Sequence, residues 1–226
     1  MGEAVELKSL DHVALWTPER DALAVFLTEA CGMHVIEHTD DFTLVGGDAR
    51  RGKLTLFEAE GPRERGVLEQ VVLRVPDLGA VTAQAASSEA SREGAVTVDA
   101  PSNLRLGLVE GDGEAPDLDH VVLRVASPAA TARAFAGLGL DADGDRARIA
   151  DKRLEFVAGE PGDGEPLLNH LAFLVDSAQE AEHEARERGL EIDRVVDAAN
   201  TRAVFVWGPD RIKLEFVEHK PSFSLV

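Results

Sequence analysis

Residues 68–75 read LEQVVLRV and residues 118–125 read LDHVVLRV. The last five residues are identical, and the position before them is Gln70 in one copy and His120 in the other. The phrase recurs as LDHVALW at 10–16 and LNHLAFLV at 168–175, so the marked positions are His12, Gln70, His120 and His170. Their spacings of 58, 50 and 50 residues define a four-fold repeat, and a repeat of that length is one supersecondary unit copied along the chain.

Each phrase alternates as a strand does. Val121, Leu123 and Val125 share one face, and His120, Val122 and Arg124 the other; Leu171, Phe173 and Val175 likewise oppose His170, Ala172 and Leu174. The apolar face calls for a helix, and a helix signal follows each strand. Thr17-Pro18 and Ser127-Pro128 place a cap residue before a proline, Asp77 is a cap for the second helix, and SAQE from Ser177 to Glu180 is a capping box. The stops are expected near Gly32, Gly139 and Gly189. Glu182 with Arg186, and Glu184 with Arg188, are i,i+4 pairs on the fourth helix. Further strands complete each unit, such as MHVIEHT, DFTLVGG and KLTLFEA in the first and IDRVVDA, TRAVFVW and IKLEFVE in the fourth. Each module reads strand, helix, then up to three strands. The acidic, Gly-rich EGDGEAPD at 110–117 reads as a hinge between the two halves.

The closing strands LTLFEA (54–59), LGLVEG (106–111), LEFVAG (154–159) and LEFVEH (214–219) place Thr55, Gly107, Glu155 and Glu215 at one equivalent position. Modules three and four therefore pair a first-strand histidine with a last-strand glutamate, His120 with Glu155 and His170 with Glu215. Module one keeps His12 without the acid, and module two has neither. By parity all four side chains point away from the apolar face. If opening and closing strands share one curved sheet, His120, Glu155, His170 and Glu215 form an N2O2 set for one divalent transition metal (Fe, Mn, Co, Ni or Zn) with positions open to substrate. His12 reads as structural. Arg74 and Arg124, on the same strand faces, either hold an anionic substrate group or pair with surface acids at the rim. His34, His38, His183 and His219 show no ligand spacing.

Bulk properties narrow the partners. The 226 residues carry 23 Lys+Arg against 42 Asp+Glu, a net charge of −19, which disfavours nucleic acid and anionic membrane surfaces. Cys31 is the single cysteine, so no intrachain disulfide forms. No apolar run approaches the roughly 20 residues of a membrane span, and MGEAVELKSL lacks the pattern of a secretory signal. A cytoplasmic protein, monomeric or homodimeric, with a small-molecule substrate is the expectation.

These modules resemble the vicinal oxygen chelate superfamily, which includes glyoxalase I, extradiol dioxygenases, methylmalonyl-CoA epimerase and bleomycin-resistance proteins. WGPDRIKLEFVEH at 207–219 looks like its terminal hairpin and ligand glutamate, and LDH (118–120) and LNH (168–170) look like its ligand-bearing first strands. The resemblance implies an α+β fold, four βαβββ modules paired into two cupped β-barrel-like domains. With modules three and four paired, the domains are 1–111, with a degenerate site, and 117–226, with the metal. If modules one and four pair instead, the site becomes His12, His170 and Glu215, with Thr55 contributing little.

The His-Glu-His-Glu set is similar to that of glyoxalase I, which implies an isomerase or lyase proton transfer with Glu155 or Glu215 as the catalytic base. The alternative is an extradiol ring-cleaving dioxygenase holding its metal by His120, His170 and Glu215. Against that, the tyrosine of the dioxygenase signature falls on Phe205, its aspartate on Gly208 and its glycine on Arg211; the whole chain contains no tyrosine. A third reading is a metal-free drug-binding protein of the bleomycin-resistance kind. The acidic charge suits a cationic drug, but aromatics are only 5% of the chain and the His/Glu pairs would go unexplained.

Overall fold

A computed structural model of the chain describes residues 5–84, 88–90 and 95–223. Module one comprises β1 (Leu7–Thr17), α1 (Arg20–Glu29), β2 (His34–His38), β3 (Phe42–Gly46) and β4 (Lys53–Glu58). Module two comprises β5 (Leu68–Val75), α2 (Leu78–Gln84), β6 (Ser88–Ala90), β7 (Val96–Asp99) and β8 (Arg105–Glu110). Module three runs through β9 (Asp117–Val125), α3 (Pro128–Ala136), β10 (Asp141–Asp143), β11 (Arg146–Ile149) and β12 (Lys152–Ala158). Module four is β13 (Leu168–Val175), α4 (Ala178–Glu187), β14 (Glu191–Asp197), β15 (Thr201–Trp207) and β16 (Lys213–His219). All four repeats thus have the βαβββ form, and modules two and three keep all their strands, though β6 and β10 have only three residues each.

Two of the four expected caps bond as their residue types dictate, while Ser127 is the N-cap of α3 without a side-chain bond. The Ser177 hydroxyl accepts from the Glu180 N–H at 3.1 Å and the Asp77 carboxylate from the Ala80 N–H at 2.8 Å. Thr17 sits two residues too early to be the N-cap of α1, which is Glu19; its hydroxyl instead accepts from the Glu19 N–H at 3.1 Å. Gly32 and Gly189 turn the chain at positive φ, 73° and 69°, a region that costs glycine nothing.

Two eight-stranded mixed sheets result, ordered β14-β15-β16-β13-β1-β4-β3-β2 and β10-β11-β12-β9-β5-β8-β7-β6. Both are open at their ends, so neither closes into a barrel. The pairing of modules departs from the expectation: module one joins module four through the antiparallel β1–β13 seam, and module two joins module three through β5–β9. The units are therefore not residues 1–111 and 117–226. EGDGEAPD at 110–117 connects β8 to β9 within one sheet. The chain changes sheet instead at 59–67 and 159–167, where GPRERG and GEPGDGEP run side by side. Glu64 bridges Pro166 there, with Glu64 N–H donating to the Glu165 carbonyl at 2.8 Å and Leu167 N–H to the Glu64 carbonyl at 2.6 Å. These two linkers are as rich in Gly and Pro as the acidic segment, and composition alone does not rank the three.

His12 and Ala14 of β1 face one side of the first sheet, and Val13 and Leu15 are wholly buried on the other, joined by Leu10 across the register shift before His12. That buried side joins the apolar faces of α1 (Leu23, Leu27), α3 (Ala132, Phe135) and α4 (Ala181, Ala185) in one core shared by both sheets. Phe135 and Phe156 meet in it at 5.4 Å between centroids, each worth about 1.5–3 kcal/mol of burial. Among the described residues no helix is long and apolar enough to cross a membrane.

Candidate metal centre

The opposite face of the first sheet gathers the chemistry. Across the β1–β13 seam His12 pairs with Ala172 and Ala14 with His170, a reciprocal arrangement that brings both histidines together from either side. Glu215 lies beside Ala172 on β16, and Thr55 lies beside Ala14 on β4, so Thr55 occupies the position symmetric to Glu215. His12 Nε2 is 3.2 Å from His170 Nε2. Glu215 Oε2 is 3.2 Å from the first of these nitrogens and 2.8 Å from the second. Among the described residues these three form the group of His, Cys, Asp and Glu donors close enough to share an ion. Three donors each about 2.1 Å from one ion and at right angles to one another would be about 3.0 Å apart, which the observed triangle matches.

The far side of each ring supports the same use. His12 Nδ1 lies 2.8 Å from Asp11 Oδ2 and His170 Nδ1 lies 3.0 Å from Asn169 Oδ1. Both partners are acceptors, so each Nδ1 carries a proton and each Nε2 is turned toward Glu215, the nitrogen available to a metal. Asp11 is itself buried, bonded to the buried Lys53 ammonium at 2.8 Å and approached by His219 Nε2 at 3.2 Å. A carboxylate behind a histidine fixes its tautomer and raises its basicity.

The protonation equilibria show what the triangle demands. Burial disfavours charge on His12, but Asp11 and Glu215 outweigh it and raise its pKa to about 9. Burial opposes the Glu215 carboxylate too, yet His12 and His170 bring it down to about 2. His170 shifts down, through burial first and then the charge on His12, against the pull of Glu215. Asp11, despite its burial, is held well below the usual carboxylate range by Lys53, His12 and His219. The site thus calls for one positive charge among three lone-pair donors, a proton or a metal cation.

Aromatic rings flank the centre. Phe205 meets His170 edge-on at 5.1 Å and Phe57 lies 6.3 Å from the same ring, with Trp16 and Phe42 behind Phe57 at 5.5 and 5.8 Å. Phe57 belongs to β4 and Phe205 to β15, on opposite sides of the seam, so the sheet cups around His170.

His120 and Glu155 stand apart from this centre, in the second sheet. The expected four-ligand set of His120, Glu155, His170 and Glu215 is therefore not assembled, because modules three and four do not share a sheet. The second sheet repeats the reciprocal seam with Gln70 opposite Val122 and Val72 opposite His120, and with Gly107 and Glu155 at the acid positions. There His120 Nε2 is 3.8 Å from Glu155 Oε2, and Glu155 Oε1 is bound by Arg153 at 2.8 Å and Arg146 at 3.2 Å. The Gln70 amide donates to Thr97 at 2.9 Å and lies against Gly107, where a Cβ would be 3.0 Å from it. The cup holds a cavity of about 600 Å³. Arg74 pairs with Asp119 and Asp151, and Arg124 with Glu69, so both serve at the rim.

The sequence matches no family model and no curated protein. Solved structures do match over nearly the whole chain. A protein assigned as a dioxygenase from Bacillus subtilis subsp. subtilis str. 168 aligns with a TM-score of 0.78 and 18% identity, covering 96% of this chain and 87% of its own. A single-site variant of glyoxalase I from Zea mays gives 0.73 and 16%, covering 93% of each chain. The cppA protein from Streptococcus pneumoniae TIGR4 gives 0.67 and 16%, covering 95% and 99%. The chain therefore has the fold shared by these proteins, the vicinal oxygen chelate fold, with a candidate His-His-Glu centre on one of its two sheets.

Proposed function

We propose that the protein is a divalent-metal-dependent enzyme of the glyoxalase/dioxygenase type, with the metal held by His12, His170 and Glu215. Its substrate is a small molecule that offers two adjacent oxygens. The observation that carries this reading is the triangle of donor atoms with both Nδ1 protons tied back. A metal-free drug-binding cup would have no use for it.

A bound metal would supply a Lewis acid for the two substrate oxygens and, as iron or manganese, an affinity for dioxygen. Glu215 provides the one anionic ligand, which offsets part of the cation's charge. Asp11 and Asn169 hold the two rings so that neither ligand must be reoriented. Phe57 and Phe205 form apolar walls that limit water around the substrate and favour a flat one.

Two histidines and one carboxylate are the ligand set of non-haem iron oxygenases. With Glu155 in the other sheet and Thr55 at the fourth position, the four-ligand arrangement that favoured glyoxalase-like proton transfer loses its support. The dioxygenase reading is thus the better one. The proton-transfer reading survives as second choice on one observation: Phe205 stands where a dioxygenase would carry a tyrosine, and the sequence contains no tyrosine to replace it.

The test is elemental analysis of protein purified without chelator, followed by oxygen uptake with catechols. About one iron or manganese per chain and oxygen consumption that chelation abolishes are expected. Metal binding without oxygen use, together with proton exchange next to a substrate carbonyl, would move the assignment to the glyoxalase-like reaction. No metal after reconstitution with each candidate ion would leave the sequestering protein.

A further inference from the structure

The register of the first sheet places one more charged residue in the metal cup. Arg194, Phe205, Glu215, Ala172, His12 and Lys53 are successive partners across β14, β15, β16, β13, β1 and β4. Directly paired residues share a face, so Arg194 stands on the same side as the candidate ligands, two strands from Glu215. Its guanidinium carbon lies 4.5 Å from the Phe205 ring centroid, and that centroid lies 5.1 Å from the centroid of His170. The sum, 9.6 Å, is the largest separation these two distances allow between guanidinium carbon and His170 ring. A benzene ring carrying two adjacent oxygens at one end and a further group at the other spans a comparable length.

Arg194 is also the basic residue that its neighbourhood leaves uncommitted. On β14–β16 and their connections, Arg202 is paired with Glu182, Arg211 with Glu191 and Lys213 with Asp193. Arg194 makes no hydrogen bond or ion pair with any described residue, in a chain with 42 acidic residues. Its guanidinium lies over the Phe205 ring with its N–H donors unengaged by the described residues, and a guanidinium fork takes a carboxylate by two parallel bonds.

We infer that Arg194 is the substrate-recognition residue of the metal cup, and that the substrate is a flat molecule bearing a carboxylate on the side opposite its two chelating oxygens. The inference rests on the metal reading of His12, His170 and Glu215. It goes beyond that reading in naming the substrate's charge and which residue reads it. The bland role for Arg194, a cation covering an aromatic ring at the sheet edge, predicts no ligand discrimination at all.

Two probes separate these roles: catechol and 3,4-dihydroxybenzoate, which carry the same adjacent oxygens and differ by one carboxylate. Their binding to the full-length chain loaded anaerobically with Fe(II) is measured by calorimetry, with metal content assayed in each sample. The native chain should prefer the carboxylate probe by roughly tenfold to a hundredfold, the range of a charge-assisted hydrogen bond. Arg194→Gln should lose that preference while keeping its metal and its catechol affinity. Arg194→Lys should keep part of it, because the charge remains and the fork is lost. No preference in the native chain, or full preference in Arg194→Gln, overturns the inference while leaving the metal centre standing. A native chain that retains no Fe(II) brings down the metal reading first, and this inference with it.

Discussion

The two cups are built from the same repeat and end with opposite electrostatics. In the first, His12, His170 and Glu215 turn three ligand atoms toward one point, and the Lys53 ammonium is tied to Asp11 behind His12. In the second, His120 and Glu155 occupy equivalent positions, but Arg146 and Arg153 already neutralise the carboxylate. Gln70 and Gly107 fill the other two positions and offer neither an imidazole nor an acid. A His/Glu pair is thus not a site in itself. What makes a site is a second imidazole from the module across the seam, together with an acid that no arginine of its own module binds.

The largest effect that follows is on metal content. His170→Ala or Glu215→Gln should abolish metal binding, whereas His120→Ala and Glu155→Gln should leave about one metal per chain, read by elemental analysis. The reverse pattern would put the metal in the second cup and undo the contrast.

Next comes the charge behind His12. Lys53 is 2% exposed and its partner Asp11 5%, so Lys53→Met strands a buried carboxylate and should cost about 3–5 kcal/mol in denaturant unfolding. Asp11→Asn should weaken metal binding by about 10- to 100-fold. Asp119→Asn, which removes the equivalent partner of His120 in the second cup, should leave metal affinity unchanged.

Much of this was legible before the fold was known. The repeat, the strand parity, the helix positions and the equivalence of Thr55, Gly107, Glu155 and Glu215 all follow from local pattern, because alternation and capping are local physics. Which module joins which is a different kind of fact. LEQVVLRV and LDHVVLRV are equally good edges for either partner, and three Gly/Pro-rich segments compete as the linker between units. His12 enters a site only under the pairing of modules one and four, for the same reason: its strand ends in a module without an acid, and the acid it meets comes from 203 residues further on, at Glu215. Asp11 and Asn169 did carry a signal. Each precedes its histidine, and a strand places successive residues on opposite faces, so only a bent seam lets the neighbour reach the ring; the β1–β13 register shift between Leu10 and His12 is such a bend.

The second cup can also be probed through its glycine. A Cβ on Gly107 would lie 2.8 Å from Val72 and 3.0 Å from the Gln70 amide, so Gly107→Ala must displace one of them. A loss of about 1–3 kcal/mol is expected, measured as a shift in the denaturant midpoint. Gly107→Ala with Gln70→Ala should recover part of it, since removing the amide opens space on one side while the contact with Val72 remains. If the double variant is no more stable than the single one, the clash is with Val72 alone and Gln70 is not what the glycine accommodates.

The smallest expected effect is the most pointed comparison. Gln70→His restores a second imidazole opposite His120 and makes the two cups alike in their histidines. Metal stoichiometry should nevertheless stay at about one per chain, because Glu155 remains held by two guanidiniums. Arg146→Ala and Arg153→Ala added to Gln70→His should then raise the stoichiometry toward two, since they free the acid without adding a ligand. A second metal already present in Gln70→His alone would mean that two imidazoles outcompete the arginines for Glu155. The electrostatic difference between the cups would then be a consequence of the missing histidine rather than its companion.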